Sequence, residues 1–216
     1  MANLVYSIFE LIMMVLCILS FIPILKSWRD TKNRMYMAVM ILMLGIIGYS
    51  LINLFAFILE VDTNAYLIGG LRIGYILGYL LATIQFEFML YLRRLIKFYP
   101  LPFIIAFYLV LGNILIINAL PFIIYLTFVG FVLAYFLIRD GKRKHNGLAF
   151  GMGVLFFIWG IGQIFPVIIV TSLFRTVAIF SFFLGTRGFY EKYIFPHQEE
   201  EEKIMGTWIS KLVVKE

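Results

Sequence analysis

The chain has 216 residues, of which 63% are hydrophobic and only 14% are charged, with a net charge of +6. Soluble domains carry about a quarter charged residues, so this composition excludes an ordinary soluble domain and indicates an integral membrane protein. The single cysteine, Cys17, excludes an intrachain disulfide and a thiolate metal cluster. The basic residues flank apolar runs, where they meet anionic lipid headgroups, and we therefore predict no nucleic-acid partner.

Seven apolar segments are long enough, or nearly so, to cross the roughly 30 Å hydrocarbon core of a bilayer as helices. We therefore predict an all-α integral membrane protein whose residues 1–193 form a seven-helix transmembrane bundle. Residues 194–216 form a cytoplasmic tail that is first acidic and then amphipathic. The predicted spans are about 4–26, 35–59, 67–96, 100–118, 121–138, 147–169 and 172–190.

The basic residues are distributed very unevenly between the two sides of this bundle. Sixteen of the eighteen Lys and Arg residues fall in the loops 26–34, 93–97 and 139–144 or from Arg187 onward. Cytoplasmic loops are the ones enriched in Lys and Arg. The distribution predicts that the N-terminus lies outside, that the C-terminus is cytoplasmic, and that the protein resides in the plasma membrane.

Two of the basic loops resemble each other. The loop 28–34 reads WRDTKNR and the loop 138–144 reads IRDGKRK, and an apolar helix with paired glycines follows each one. This similarity favours a 3+1+3 internal repeat in which the fourth helix links two triple-helix units. The alternative is chance, because every cytoplasmic loop tends to be basic.

The tail carries a helical pattern of apolar residues. Ile204, Met205, Trp208, Ile209 and Leu212 recur on one face of a helix. We predict that the segment 203–215 lies on the anionic headgroups of the inner leaflet or docks a cytoplasmic protein partner. The alternative is a frayed tail whose periodicity has no function.

The third predicted span holds a carboxylate deep within an apolar run. Thr83, Glu87, Tyr91 and Arg94 share one face of this helix. A charge at membrane depth is costly and usually faces the bundle interior with a partner. Glu87 is therefore either a proton, cation or switch site, or a structural lock paired with Arg94.

Two further sets of polar residues are candidates for function. Tyr49, Asn53, Tyr79 and Gln163 would line a shared cavity beside Thr83; the alternative is that each makes an isolated interhelical hydrogen bond. Near the outer ends of the spans lie Arg72, Arg175 and Glu10. The two arginines either pair with Glu10, Glu60 or Asp62 or bind an anionic ligand from outside.

No catalytic motif of the HExxH, GxSxG or Walker type occurs, so we predict neither an enzyme nor a metal site. The seventh predicted span has no Lys for a retinal Schiff base, and we predict no cofactor. The stretch 21–26 (FIPILK) resembles the Pro-Gln motif of PQ-loop and SWEET transporters, with Ile24 in place of the Gln. The topology is similar to that of seven-helix sensor regions placed before prokaryotic histidine kinases. Neither resemblance assigns the chain to a family.

Two functional hypotheses follow. The first is a receptor-like sensory or scaffolding module that engages a separate cytoplasmic partner, favoured by the charged inner face and the distinct tail. The second is a small-solute or ion-coupled transporter built from two triple-helix repeats, favoured by the repeat, Pro23 and Glu87.

Overall fold

The computed structural model of the chain is all-helical in the residues that it describes, which are 2–32, 34–58, 100–116, 120–162, 164–165 and 167–195, with positions 83, 84, 87, 90 and 96–98. Within these residues, seven α-helices and one short 3-10 turn at Ile96–Phe98 are formed. The helices are α1 (Ala2–Thr31), α2 (Arg34–Ile58), α3 (Leu101–Ile116), α4 (Leu120–Arg143), α5 (Gly147–Gly162), α6 (Ile168–Thr186) and α7 (Phe189–Tyr193).

Three of the described helices are long and apolar enough to cross a membrane: Leu4–Thr31, Tyr36–Phe55 and Ile169–Thr186. In the most apolar stretch of each of these helices, only 28% to 39% of the residues are buried inside the protein. Large apolar side chains face outward both within these helices and outside them, since Ile22 of α1 is 64% exposed and Phe128 of α4 is 68% exposed. An apolar surface of this extent is stable in lipid rather than in water. The chain is thus a helical membrane protein.

The helices pack as a series of neighbours around one apolar core. Helix α1 lies between α2 and α6, α5 lies between α6 and α4, and α3 contacts α4. The core is formed by fully buried side chains from these helices, among them Met13, Leu42, Leu133, Phe156 and Phe182. It occupies the middle of the bundle and separates its two ends.

One end of the bundle holds the α1–α2 corner at Lys32 and the α4–α5 turn at 144–146, and we call it the basic end. Lys32 and His145 both adopt left-handed backbone conformations, with φ of 53° and 48°. After the second turn, the Oδ1 of Asn146 accepts a hydrogen bond of 3.0 Å from the backbone N–H of Ala149. Asn146 thereby caps the start of α5, a role for which Asn is well suited.

Glycines allow the backbones of neighbouring helices to approach closely. A Cβ atom on Gly153 of α5 would lie 2.8 Å from the backbone nitrogen of Ile138 on α4. A Cβ atom on Gly185 of α6 would lie 2.7 Å from the carbonyl oxygen of Gly147 on α5. Real Cβ atoms do not tolerate such distances, so only glycine fits at these two crossings.

Several helix ends differ from the ends of the predicted spans. Helices α1 and α4 continue to Thr31 and Arg143, beyond the apolar limits at 26 and 138, because polar residues can extend a helix into the interfacial region. Helix α5 ends at Gly162 and α6 begins at Ile168, whereas the spans 147–169 and 172–190 were expected. Pro166 has no backbone N–H to continue a helix, which accounts for a break between these two limits.

The short helix α7 folds back against the basic end through Gly188, whose φ of 70° favours glycine. Its Tyr190 is buried, and the Tyr190 hydroxyl lies 2.6 Å from the Ser181 Oγ and donates to the Ser181 carbonyl at 3.0 Å. Burial raises the pKa of Tyr190, while the hydrogen bond to Ser181 lowers it. The hydroxyl therefore remains a neutral donor that ties α7 to α6.

Tyr190→Phe should reduce the free energy of unfolding by about 1 kcal/mol, because it leaves the buried Ser181 carbonyl oxygen without this donor. Reversible unfolding in mixed detergent micelles measures the change. Tyr193→Phe is the matched control, since Tyr193 is 64% exposed and should tolerate the loss of its hydroxyl. Equal effects of the two substitutions would contradict the assigned role of Tyr190.

Candidate functional site

At the end of the bundle opposite the basic end, four helices bring polar and aromatic side chains together around Glu10. We call this group the Glu10 cluster: Tyr6 and Glu10 on α1, Tyr49 on α2, Trp159 on α5 and Arg175 on α6. Helix α1 supplies the carboxylate, and its neighbours α2 and α6 supply an aromatic ring and a cation. The residues come from distant parts of the chain, so the cluster forms only when these helices pack.

Glu10 is the most unusual residue of the cluster. Its side chain is 1% exposed, and neither carboxylate oxygen has a hydrogen-bond partner within the described residues. A buried carboxylate without hydrogen bonds is strongly unfavourable unless a nearby cation or a bound group compensates it. Buried polar atoms without partners are therefore informative about function.

Arg175 brings a positive charge to the cluster, because Arg175 and Glu10 both interact electrostatically with the Tyr6 hydroxyl. Its guanidinium carbon lies 5.7 Å from the ring centre of Tyr49 and 5.7 Å from that of Trp159. These contacts with two aromatic faces stabilise the cation where little water is present. The Nε atom of Arg175 is buried and has no hydrogen-bond acceptor among the described residues. The guanidinium is thus held by rings and retains unused hydrogen-bonding capacity.

Tyr6 connects the carboxylate to the cation. Its hydroxyl interacts electrostatically with Glu10, Tyr49 and Arg175. The Tyr6 hydroxyl approaches the Glu10 carboxylate but forms no hydrogen bond of regular geometry with either oxygen. The Tyr6–Glu10 contact is therefore a weak one, because hydrogen bonds lose strength steeply outside these limits.

Hydroxyl groups fix α6 against α1 beside Glu10. The Thr176 hydroxyl donates to the Ser172 carbonyl at 2.9 Å and approaches the Phe9 carbonyl at 3.4 Å. The Ser172 Oγ is also buried and has no partner within the described part of the chain. Unused hydrogen-bonding capacity at this end therefore extends beyond Glu10 and Arg175.

An apolar layer lies directly below the cluster. It contains Met13 and Cys17 on α1, Met43 on α2, Phe156 on α5 and Ile179 on α6, each no more than 2% exposed. The described side chains of this layer offer no polar route from the Glu10 cluster towards the basic end. The Glu10 cluster is far from the basic end, since Glu10 and Thr31 are separated by roughly 30 Å along α1.

The structure places the predicted site residues in different settings. Glu10 and Arg175, predicted at the outer ends, lie in one cluster, and Tyr49, predicted in a separate cavity, packs on Arg175. Asn53 is 3% exposed and its Nδ2 has no partner among the described residues. Thr83 is buried, and Glu87 is half-buried in a helical segment. The remaining predicted residues lie outside the described ones: Tyr91, Arg94, Tyr79, Gln163 and Arg72.

Sequence reasoning did not identify Tyr6, Trp159 or Ser172. A signal existed for Tyr6, because it precedes Glu10 by four residues and therefore shares a helix face with it. No comparable signal marks Trp159, since its contact with Arg175 depends on how α5 and α6 pack. An isolated Ser172 in an apolar helix carries no signal either.

The chemistry available at this site is electrostatic. Within the described residues, no group of three or more His, Cys, Asp or Glu side chains could hold a metal ion. The cluster can instead respond to a proton, an ion or a polar ligand that changes the balance between Glu10 and Arg175. Comparison with protein-family models, with curated proteins and with solved structures finds no match, so the site is interpreted from its own geometry.

Proposed function

We propose that this protein is a receptor-like sensory or scaffolding module that engages a separate cytoplasmic partner. In this proposal the chain forms a seven-helix bundle in the plasma membrane, with the N-terminus outside and the C-terminus in the cytoplasm. The Glu10 cluster receives the signal at the outer end. The basic end and the tail segment 203–215 pass it to the partner.

The observation that carries this proposal is a buried polar cluster that stands above an apolar layer formed by described residues of α1, α2, α5 and α6. Glu10 lies where α1 meets α2 and α6, so a change in its charge balance alters the packing of three helices at once. Packed interfaces respond to such changes by moving between discrete arrangements rather than by deforming gradually. Helices that run from the cluster to the basic end can transmit this movement without a passage for solute.

The partner-binding surface is expected at the basic end. Its exposed cations include Arg29 and Lys32 near the α1–α2 corner and Lys142, Arg143 and Lys144 near the α4–α5 turn. A surface of this charge favours anionic lipid headgroups and acidic protein surfaces. The amphipathic pattern in 203–215 adds an apolar face for the same partner.

Site-specific photo-crosslinking in cell membranes tests this proposal. A photoreactive residue at Lys142 should form one discrete protein adduct, and Glu10→Gln should change its yield several-fold by altering the basic end. A photoreactive residue at Phe128, which is 68% exposed on an apolar face, should form no such adduct. Identical yields in the wild type and Glu10→Gln would contradict the proposal.

A second candidate is a small-solute or ion-coupled transporter built from two triple-helix repeats. It is favoured by the resemblance of the two basic corners, 28–34 and 138–144. Each corner has one residue in the left-handed conformation, Lys32 and His145, although His145 lies three positions beyond the match of Lys32 in the proposed repeat. Pro23 and Glu87 would then contribute to the transport pathway. Proteoliposomes with an imposed pH gradient distinguish the candidates, because a proton-coupled transporter should dissipate the gradient and Glu87→Gln should stop it.

A further inference from the structure

The basic end contains a cavity between the helices, and of the cations assigned to the partner-binding surface only Lys144 belongs to its lining. Its volume is about 440 Å³, and it lies between α1, the start of α2, the α4–α5 turn and the ends of α6 and α7. One part of its wall is apolar and consists of Pro23, Ile24 and Leu148. The rest of the lining is polar and includes the Lys144 ammonium, the His145 imidazole and the Glu191 carboxylate.

Glu191 belongs to the lining of this cavity and binds the start of α5. Its Oε1 accepts a hydrogen bond of 2.6 Å from the backbone N–H of Gly147 at the start of α5. Its Oε2 is buried and has no partner within the described residues. The anion site at the start of α5 is therefore already filled by this carboxylate, and the free oxygen requires a donor.

Lys144 and His145 supply hydrogen-bond donors to the cavity lining. Lys144 is exposed, so its ammonium group can reach an anion at the cavity mouth. The His145 ring is stacked on Phe195, with ring centres 5.7 Å apart and planes at 20°. Phe195 is itself buried, so this stacking holds the imidazole at the cavity wall.

From these groups we infer that the cavity binds the headgroup of an aminophospholipid such as phosphatidylethanolamine. The primary ammonium of the headgroup donates to the Glu191 Oε2, and its phosphate accepts from Lys144 and His145. The glycerol and acyl chains follow the apolar wall at Pro23 towards Ile22, which is 64% exposed on the lipid-facing side of α1. The inference goes beyond the receptor-like function and does not depend on it.

Other lipid headgroups fit this arrangement less well. A headgroup with phosphate alone would place a second anion near Glu191 without satisfying its free oxygen. A choline headgroup carries a quaternary ammonium, which has no N–H to donate. The pairing of one acceptor with the donors of Lys144 and His145 therefore selects a zwitterion with a primary ammonium.

Lipid retention provides the test. The full-length protein is reconstituted with equal amounts of phosphatidylethanolamine and phosphatidylcholine, extracted gently, and analysed for bound lipid by native mass spectrometry. The wild type should retain phosphatidylethanolamine with a preference of about tenfold, the size expected from one charge-assisted hydrogen bond. Equal retention of the two lipids by the wild type would overturn the inference.

Two variants and a control test whether the cavity residues cause the preference for phosphatidylethanolamine. Glu191→Gln keeps an oxygen for Gly147 but replaces the free acceptor with a donor, and should abolish the preference. Lys144→Gln is an exposed change that keeps the fold and should weaken retention several-fold. Lys192→Gln, on the same short helix, lies outside the cavity lining and should behave as the wild type. Preference retained in both Glu191→Gln and Lys144→Gln would overturn the assignment.

Free phosphoethanolamine distinguishes a lipid from a soluble ligand of the same chemistry. Added at millimolar concentration, it should leave the bound lipid in place, because it lacks the acyl chains that contact the apolar wall. Complete displacement at that concentration would reassign the cavity to a soluble phospho-zwitterion and overturn the lipid inference.

Discussion

Arg175→Gln is expected to reduce the free energy of unfolding by about 3 kcal/mol, the largest effect of any substitution considered. The change removes the cation near the buried Glu10 carboxylate and leaves an uncompensated buried charge. It also removes the contacts with the faces of Tyr49 and Trp159, which contribute about 0.5–2 kcal/mol in dry surroundings. For a chain of this length the melting temperature should fall by roughly 6–12 °C.

A double-mutant cycle with Glu10→Gln tests whether the two residues act together. Once Arg175 is absent, the neutral amide introduced by Glu10→Gln should be better tolerated than the carboxylate, so the double variant should be more stable than the sum of the single effects predicts. We expect an interaction free energy of about 1.5 kcal/mol, measured by unfolding in mixed micelles. Additivity within about 0.5 kcal/mol would show that the residues are independent.

Arg187→Gln is the matched control for this cycle. Arg187 follows the same helix and also lies over an aromatic ring, with its guanidinium carbon 5.2 Å from the ring centre of Phe183. It is exposed and has no buried carboxylate to compensate. Its loss should change stability by less than about 1 kcal/mol.

Gly153→Ala is expected to reduce the free energy of unfolding by about 2 kcal/mol. The new methyl group would lie 2.8 Å from the Ile138 nitrogen and 3.0 Å from the Ala134 carbonyl oxygen. Both are backbone atoms that cannot rotate away, so α4 and α5 must separate. The free-energy cost of separating the two helices is larger than the gain of about 1 kcal/mol from the higher helix propensity of alanine.

Gly48→Ala supplies the control for this substitution. Gly48 also lies inside a helix, but a Cβ atom there would meet no other atom within 4 Å. The substitution should be neutral or should stabilise the protein by up to about 1 kcal/mol. If Gly153→Ala and Gly48→Ala had the same effect, close helix contact at Gly153 would not be the reason for its glycine.

The sequence predicts the helical membrane character well because hydropathy responds directly to the solvent around a helix. It predicts the ends of helices poorly, because hydropathy reports where the surrounding solvent changes and not where the backbone hydrogen bonds end. The apolar run in α1 stops near Lys26, yet the helix continues through Arg29 to Thr31, since backbone hydrogen bonds form equally well among polar residues. The break between Gly162 and Ile168 is hidden within a nearly continuous apolar stretch and is marked only by Pro166.

The candidate site was predicted only in part. Glu10 and Arg175 stand out in the sequence because charged residues within apolar helices are costly, and their signs are complementary. The sequence does not show which helices are neighbours, however. Tyr49 was therefore assigned to a different cavity, and Trp159 was not identified. These contacts depend on the packing of α2 and α5, which no local pattern encodes.

A distance measurement tests our proposal that the Glu10 cluster controls the arrangement of the helices at the basic end. Nitroxide labels at Arg29 and Arg143, both exposed, report the separation of α1 and α4 at that end in lipid nanodiscs, with the buried Cys17 replaced by Ala. Glu10→Gln should shift the label distance by about 2 Å, the usual size of helix movements in switching proteins, while Gly48→Ala should leave it unchanged. Identical distance distributions in the wild type and Glu10→Gln would contradict the account.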